Sequence, residues 1–404
     1  MKAQLFTLLA AAAVGTGTVQ ARGEYAEIAR LRSMNETVRG IRSMADGEHY
    51  TILEGNNIVR YGYAAAGQGE QMLPKPTANL VVTDYAFSPD ERSILIASGR
   101  KPIYRHSYTT SYSLVRDNAV RPVLRDAEAP RDASFSPDGQ KIAYSDRNDL
   151  YVYDIASQTT RRITNDGAWN EVINGTTDWV YEEEFGFTRA YAFSPDSRRI
   201  AYLRFDESEV PEYSMQMFGE GLYPGYYNYK YPKAGEKNSK VTLHSYDVTT
   251  KDTKELKVPV EADSYIPRIV FTNNDDQLAV MTLNRHQNVF NMYYANPKSG
   301  VFRLILRDEN KAYVDSEWLN SIHFYANSFS YVNEQDGYAH IYLYSPTGVM
   351  QRQVTKGNWD VTAFLGYDEA TKTVYYESAE ESPIRRAIYK IDAKGVKTKL
   401  STQE

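Results

Sequence analysis

A short turn motif recurs in the chain and constrains the fold more than any other feature. Phe-Ser-Pro-Asp occurs from Phe87, from Phe135 and from Phe193, so the motif serines are 48 and then 58 residues apart. Each motif is followed by a strand-like segment rich in Ile and Ala. Pro-Asp turns between short strands at this spacing are typical of a β-propeller, in which each blade is one four-stranded antiparallel sheet.

Later parts of the chain lose the proline but keep the rhythm of strands and turns, as at Asp336-Gly337. We count about seven blade-like units, which start near residues 40, 83, 131, 189, 265, 320 and 361. The predicted fold class is therefore an all-β propeller. The segment 207–240 has three prolines and is rich in Tyr and Gly, which predicts an inserted arm and not a blade strand.

The composition supports a β-rich chain and argues against one class of partner. Thirty-four of the 404 residues are tyrosine, a residue enriched in strands. The 46 basic and 52 acidic residues give a net charge of -6, and no basic stripe with interleaved aromatics is present. Nucleic acid is therefore not an expected partner.

The N-terminus predicts export. A basic start at Lys2, an apolar run and a small-residue end at Ala21 match a secretory signal peptide over residues 1–21. A charged lead-in segment (22–39) follows, and the propeller is expected over 40–404. The chain has no cysteine, which excludes disulfides and cysteine ligands or nucleophiles. The expected location is the periplasm or the cell envelope.

An acidic stretch, Asp178 to Phe187, is the main candidate for a functional site. Its consecutive acids Glu182, Glu183 and Glu184 repel one another, so they form either a solvated surface or a site for a cation. Aromatic residues flank the run on both sides and are expected to anchor it. Glu183 and Glu184 share a face only if the backbone turns there, and an ammonium group would then fit between them.

Arg105 is the second candidate, since it lies among aromatics in IYRHSYTTSY. Its guanidinium could present a fork of donors to a carbonyl or carboxylate group. The alternative is a purely structural ion pair or cation–π contact.

Several catalytic patterns are missing from the sequence. There is no Gly-x-Ser-x-Gly segment, no Gly-rich phosphate loop and no HExxH. The histidines are scattered and predict no metal site; they are His49, His106, His244, His286, His323 and His340. No cofactor, metal or catalytic residue is therefore predicted within this chain.

The chain resembles the dipeptidyl-peptidase IV family of prolyl-oligopeptidase-like serine peptidases, in the form found in bacteroidete members. The matching strings occur in the family's order: IYRHSYTTSY from Ile103, NGTTDWVYEEEFG from Asn174, RFDESEVPEYSM from Arg204, YKYPKAGEKN from Tyr229, DGYAHIYLY from Asp336 and VTKGNWDVT from Val354. This set spans nearly all of the mature chain.

The resemblance implies an eight-bladed propeller capping an α/β-hydrolase that removes dipeptides with Pro or Ala in second position. By motif, Glu183 and Glu184 would hold the substrate's α-ammonium, and Arg105 would bind the carbonyl between its first two residues. The family often dimerises through a propeller arm, for which 207–240 is the candidate. The catalytic Ser, Asp and His of the family, and its last blade, have no counterpart in this sequence.

The sequence therefore predicts the substrate-anchoring propeller of a dipeptidyl peptidase, whose partners are peptides with a free N-terminus and the hydrolase domain of a longer protein. The 404-residue chain alone is predicted to be inactive. The alternative is a non-catalytic peptide-binding or protein-interaction propeller. A propeller hydrolase that uses its own acids is disfavoured, because two-carboxylate chemistry needs acids on opposite sides of a bond.

Overall fold

The computed structural model describes residues 40–64, 67, 69–74 and 80–401. The predicted signal peptide (1–21) and lead-in segment (22–39) lie outside these residues. The chain divides into two compact units, Met1–Ala78 and Asn79–Glu404. Within the described residues, no helix is both long enough and apolar enough to span a bilayer.

In the part of the first unit that the structure describes, the strands form one antiparallel sheet, blade 1, with its strands in chain order. The strands are β1 (Arg42–Ser43), β2 (His49–Glu54), β3 (Asn57–Gly62) and β4 (Glu70–Gln71). Glu54 pairs with Asn57 across a two-residue turn at Gly55 and Asn56. Gly55 has φ 57°, a left-handed conformation that glycine adopts without steric cost.

Among the described residues, the second unit contains six further blade-like antiparallel sheets, blades 2 to 7 in chain order, and a separate two-stranded ribbon. Blades 2 and 3 are β5 (Val82–Phe87), β6 (Ser93–Pro102), β7 (Tyr108–Arg116), β8 (Ala119–Val123), then β9 (Pro130–Phe135), β10 (Lys141–Asp146), β11 (Asp149–Asp154) and β12 (Thr159–Arg162). Blade 4 is β13 (Val172–Asn174), β14 (Tyr191–Phe193), β15 (Arg199–Asp206), β18 (Lys240–Asp247) and β19 (Thr253–Leu256).

The remaining blades keep the same pattern. Blade 5 is β20 (Tyr265–Phe271), β21 (Leu278–Leu283), β22 (Val289–Ala295) and β23 (Phe302–Glu309). Blade 6 is β24 (Phe329–Asn333), β25 (His340–Tyr344) and β26 (Met350–Gln353), and blade 7 is β27 (Val361–Asp368), β28 (Thr373–Ser378), β29 (Ala387–Ile391) and β30 (Lys397–Lys399). The all-β propeller prediction is confirmed.

Three elements lie outside the blade pattern. Strands β16 (Glu212–Met217) and β17 (Gly225–Lys230) pair only with each other and form a two-stranded ribbon. This ribbon occupies the predicted arm. A helix, α1 (Trp179–Phe185), and a 3-10 helix (Ser316–Ser321) complete the described elements.

The repeated Phe-Ser-Pro-Asp motif forms the same hydrogen-bonded turn each time. The serine hydroxyl donates to the aspartate two residues on, over 2.6, 2.5 and 2.5 Å at Ser88–Asp90, Ser136–Asp138 and Ser194–Asp196. The same hydroxyl accepts the backbone N–H of the first residues of β6, β10 and β15, each over 2.9 Å. Local side-chain bonds of this kind favour turns over continued strand.

The core of the second unit lies between neighbouring blades. Its buried clusters combine Leu114 with Ile142, Leu150 with Ile200, Leu203 with Val280 and Tyr331, and Val332 with Tyr376. Every residue of β21 is buried, whereas every residue of the outer strand β12 is exposed. Inner strands are apolar on both faces because each face packs against another blade.

One blade boundary differs from the sequence-based estimate. The fourth unit was expected to start near residue 189, but β13 pairs with β15 and places the start of blade 4 at Val172. Strand β14 also pairs with β15, further along it. Helix α1 is therefore inserted within blade 4, between two strands that share one partner. A three-residue strand before a helix gives too short an alternation to detect from the sequence.

Candidate functional site

Helix α1 carries the three consecutive glutamates, and its ends are fixed by caps. The Asp178 side chain accepts the Tyr181 N–H over 2.9 Å at the N-terminus, and Gly186 ends the helix in the left-handed region with φ 66°. Ser239 donates its hydroxyl to the other Asp178 oxygen over 2.5 Å. These contacts define a helix of seven residues.

Aromatic residues anchor the helix, as the sequence predicted. Tyr181 and Phe185 are buried in the core of blades 4 and 5. The Tyr181 hydroxyl accepts the N–H of Ile266 over 2.9 Å, and Trp179 packs on Tyr231 with ring centroids 4.1 Å apart. Burial raises the pKa of Tyr181 well above its ordinary value. The helix is therefore held in a fixed orientation.

Arg268 of β20 fixes the C-terminal end of the helix. Its Nη2 donates to the Phe185 carbonyl over 2.6 Å, and its guanidinium lies 4.6 Å from the centre of the Phe187 ring. Burial lowers the pKa of Arg268 to about 10. A cation at the C-terminus of a helix satisfies a free carbonyl and opposes the helix dipole.

The three glutamates have different environments although they are adjacent. Glu182 is only 1% exposed, the Glu183 side chain is 15% exposed, and Glu184 is on the surface. Successive residues of an α-helix project about 100° apart, so Glu182 and Glu184 point to nearly opposite sides of the helix, with Glu183 between them. The acidic run is therefore neither a uniformly solvated surface nor a single cluster.

Arg105 lies on a five-residue loop, 103–107, between β6 and β7. Its Nε donates to Glu183 Oε2 over 2.8 Å. The guanidinium side chain remains 72% exposed. The structure thus brings two of the predicted site residues together, with Glu184 on the same helix.

Glu182 connects helix α1 to the loop 103–107, which carries Arg105. Its Oε1 accepts the backbone N–H groups of His106 and Ser107 over 2.6 and 2.8 Å. Its other oxygen, Oε2, is buried and has no hydrogen-bond partner among the described residues. The sequence predicted no separate role for Glu182. Its signal was only its place in the acidic run.

A group of buried ionisable side chains lies behind the loop. Burial, helped by the nearby Asp178, raises the pKa of Glu207 to about 8. Burial also raises the pKa of Asp178 to about 6, although its hydrogen bonds from Ser239 and Tyr181 oppose the shift. Tyr104 of the loop packs against Tyr229 with ring centroids 5.6 Å apart, and burial raises its pKa.

A cavity of about 400 Å³ adjoins the loop. Residues from five segments line it, including Asp84, His106, Ser107, Tyr108, Asp132 and Arg189. Tyr108 donates to Asp84 over 3.3 Å, and Asp132 accepts the hydroxyls of Thr176 and Thr188. The cavity wall therefore combines hydrogen-bonded polar groups with apolar ones such as Leu95 and Phe187.

The histidines occupy ordinary structural positions where their contacts are described. His340 is buried between Thr355 and the Gly357 carbonyl, and His244 stacks on Tyr202. In the described ranges, no three His, Asp or Glu residues are placed to hold a metal ion.

The fold and the site together define a β-propeller with an acidic helix inserted in one blade and an arginine loop beside it. A family model for the dipeptidyl peptidase IV (DPP IV) N-terminal region matches residues 88–404. The chain belongs to this family, and it carries the N-terminal propeller region.

Known proteins agree with this assignment. Dipeptidyl peptidase 4 of Trichophyton tonsurans is 32% identical over 328 residues, which cover 76% of this chain and 41% of that protein. The crystal structure of Porphyromonas gingivalis dipeptidyl peptidase 4 matches with a TM-score of 0.86 and 50% identity, over 90% of this chain and 53% of that chain. A Bacteroides ovatus structure matches with a TM-score of 0.68 at 20% identity, which shows the fold alone.

The chain therefore spans about half the length, or less, of these relatives.

Proposed function

We propose that this chain is the substrate-anchoring propeller of a serine dipeptidyl peptidase that releases Xaa-Pro and Xaa-Ala dipeptides from peptide N-termini. The observation that carries the proposal is the placement of Arg105 within 2.8 Å of Glu183, with Glu184 exposed on the same rigid helix. In this proposal Glu183 and Glu184 bind the α-ammonium group of the peptide. Arg105 binds the first peptide carbonyl.

Charge balance favours an ammonium ligand. Arg105 neutralises Glu183, whereas Glu184 has no ion pair within the described part of the chain. One further cation would match the remaining carboxylate, and an ammonium has three donors that can bridge two acids. The caps and aromatic anchors of α1 keep both acids in place before the ligand arrives, which lowers the entropic cost of binding.

Anchoring the N-terminus would set the length of the product. A fixed ammonium site places the bond after the second residue at a constant distance from the acids. Binding energy from this remote contact then positions the reacting carbonyl. The catalytic Ser, Asp and His would come from a hydrolase domain of a longer protein, because no such constellation was found in this sequence.

The test is an assay with a Gly-Pro chromogenic substrate. The product of the complete reading frame is expected to release the chromophore, and the 404-residue chain is expected to be inactive. Activity of the short chain would overturn the assignment of catalysis to another domain. If neither protein releases the chromophore but the chain binds peptides, the result would favour the alternative, a non-catalytic peptide-binding propeller.

Two further parts of the proposal concern location and assembly. The predicted signal peptide favours export to the periplasm or cell envelope, which N-terminal sequencing of the mature protein would test. The ribbon of β16 and β17 is the candidate dimer contact, because Phe218 and Leu222 at its tip are 81% and 99% exposed. Exposed apolar groups of this size favour burial against another protein surface.

A further inference from the structure

We propose that Glu182 is a positioning residue for the peptide site. Its buried carboxylate holds the loop 103–107 and thereby sets where the Arg105 guanidinium meets Glu183. This inference rests on the proposed function, since positioning matters only if Arg105 and Glu183 bind a ligand. It assigns a separate role to the first acid of the run.

The hydrogen bonds that Glu182 accepts hold the loop 103–107 in position. One oxygen, Oε1, accepts two consecutive backbone N–H groups, those of His106 and Ser107, over 2.6 and 2.8 Å. One acceptor that receives two consecutive amides fixes the direction of both peptide groups. The two N–H groups belong to the residues that directly follow Arg105 in the chain. The hydrogen bonds to Glu182 therefore fix the backbone on the C-terminal side of Arg105.

The loop has few other ties of this kind. Its internal bonds run from Ile103 N to the Ser107 carbonyl over 2.9 Å and from Tyr104 N to the Ser107 hydroxyl over 3.3 Å. These bonds close the loop on itself. The carboxylate of Glu182 links it to α1, the helix that also carries Glu183.

Burial separates this role from direct ligand binding. Glu182 is 1% exposed, whereas Arg105 is 72% exposed, so a peptide in solvent reaches the guanidinium and not the Glu182 carboxylate. The helical twist produces this division, because each successive glutamate turns by about 100°. The acidic run therefore places Glu182 against the loop 103–107, Glu183 against Arg105 and Glu184 on the surface.

The chemistry predicts which substitutions preserve the role. Glu182→Gln retains a carbonyl oxygen that can accept both amides, and the second position has no partner to lose among the described residues. Glu182→Ala removes the acceptor and leaves two N–H groups without it. Glu182→Asp shortens the side chain by one methylene, and its carboxylate is expected not to reach the two N–H groups.

The experiment measures binding of the tripeptide Gly-Pro-Gly to the 404-residue chain by NMR titration. We expect Glu182→Ala to weaken binding by about 10-fold or more, and Glu182→Gln by no more than about 3-fold. Equal losses in both variants would overturn the proposal, because the carboxylate would then act through its charge. Unchanged affinity in Glu182→Ala would overturn it as well.

A double-mutant cycle tests whether Glu182 acts through Arg105. In an Arg105→Ala background, adding Glu182→Ala is expected to change the affinity by less than about 2-fold, since residues in one network are not additive. Additive losses would contradict positioning. Hydrogen exchange of the His106 and Ser107 amides supplies a ligand-independent readout and is expected to accelerate in Glu182→Ala but not in Glu182→Gln.

Glu369 offers a matched control. Its half-buried carboxylate also accepts two consecutive backbone N–H groups, those of Ala326 and Asn327, over 2.9 Å each, with one oxygen for each amide, in a part of the chain remote from α1. Glu369→Ala is expected to leave peptide affinity unchanged within about 2-fold. An equal loss in Glu369→Ala would mean that Glu182 is merely structural.

If the unmodified chain does not bind the tripeptide, the proposed function fails together with this inference. If the chain binds the tripeptide but the Glu182 variants do not show the expected affinities, this inference alone fails.

Discussion

At the scale of single residues, burial divides three identical side chains into three roles. Glu182 is enclosed and bonded to backbone amides, Glu183 faces Arg105, and Glu184 faces solvent. A carboxylate that accepts backbone N–H groups stabilises structure, whereas one beside an exposed guanidinium can accept a ligand. Position on the helix therefore decides the chemistry available to each acid.

If the proposed function holds, neutralising Glu183 or Glu184 should impair catalysis by the complete peptidase. Glu183→Gln and Glu184→Gln each remove a charged partner of the α-ammonium group, and we expect kcat/KM for Xaa-Pro substrates to fall by about 10- to 100-fold. Steady-state kinetics with a Gly-Pro chromogenic substrate measure the effect. Near wild-type kinetics in both variants would contradict the assigned ammonium site.

Glu207 predicts a pH dependence of stability. The folded protein keeps its pKa near 8, above the ordinary 4.5, because the side chain is buried. The unfolded chain therefore loses this proton at lower pH, and Glu207 makes folding less favourable as pH rises from about 4.5 to 8. Glu207→Gln should remove this penalty, which is on the order of a few kcal/mol.

Thermal melts at pH 5 and pH 8 test this effect. Glu207→Gln should gain stability over the unmodified chain as pH rises, whereas Glu261→Gln, a change at an exposed position, should follow the unmodified chain. A constant difference between Glu207→Gln and the unmodified chain at the two pH values would show that Glu207 does not hold a proton in the folded state.

Sequence reasoning at this scale named Glu183, Glu184 and Arg105 as candidates but did not predict how differently the three glutamates are enclosed. Residue types and flanking aromatics marked the candidates, and the family resemblance supplied their expected roles. The enclosure of Glu182 depends on a loop 75 residues away in the chain, at Ser107. Contacts of such sequence separation are formed by tertiary packing and leave no local pattern.

At the scale of elements, a seven-residue helix is too short to be stable alone and relies on its surroundings. Its caps, the Arg268 contact and the buried Tyr181 hold it inside blade 4. The loop 103–107 is bound to it through Glu182. Preorganisation of the site therefore belongs to the contacts between α1, blade 2 and blade 5.

Removing one hydroxyl should test this anchoring. Tyr181→Phe leaves the buried N–H of Ile266 without its acceptor, and we expect the free energy of unfolding to fall by about 1–3 kcal/mol. Tyr226→Phe, at an exposed position of the ribbon, should have little effect. Urea unfolding of the three proteins measures the difference, and equal stabilities would show that this hydrogen bond does not anchor α1.

The sequence predicted this element only in part. Glu183 and Glu184 were expected to share a face only if the backbone turned there, and aromatics on both sides predicted anchoring. The insertion of α1 between β13 and β14 was not foreseen, since β13 has three residues and its pairing with β15 is non-local. Short strands are specified by their partners more than by their own pattern.

At the scale of the whole molecule, the repeated turn motif and strand spacing allowed the propeller fold to be predicted from the sequence. The serine of each Phe-Ser-Pro-Asp motif binds the start of the following strand, so one local network recurs at the same point of three blades. Later turns use other residues, yet the spacing of strands persists because each blade must cover its neighbour. The seven blade-like sheets were therefore predictable from the period alone.

Assembly through the ribbon is a prediction at the same scale. Leu222→Asp places a charge on a 99% exposed leucine at the ribbon tip, and a dimer that buries this residue should dissociate. Light scattering of the unmodified protein and of Leu222→Asp should show a dimer and a monomer. Equal masses would contradict a role for the ribbon tip in dimerisation. Ile384→Asp, at another exposed apolar residue, is the control.

We propose above that this propeller recognises the free α-ammonium group of a peptide. The most direct measurement compares binding of Gly-Pro-Gly with binding of the same peptide acetylated at its N-terminus, on the unmodified chain and on Glu184→Gln. We expect acetylation to weaken binding to the unmodified chain by about 10-fold or more, and to matter much less in Glu184→Gln. Equal affinity of the unmodified chain for the two peptides would contradict the account.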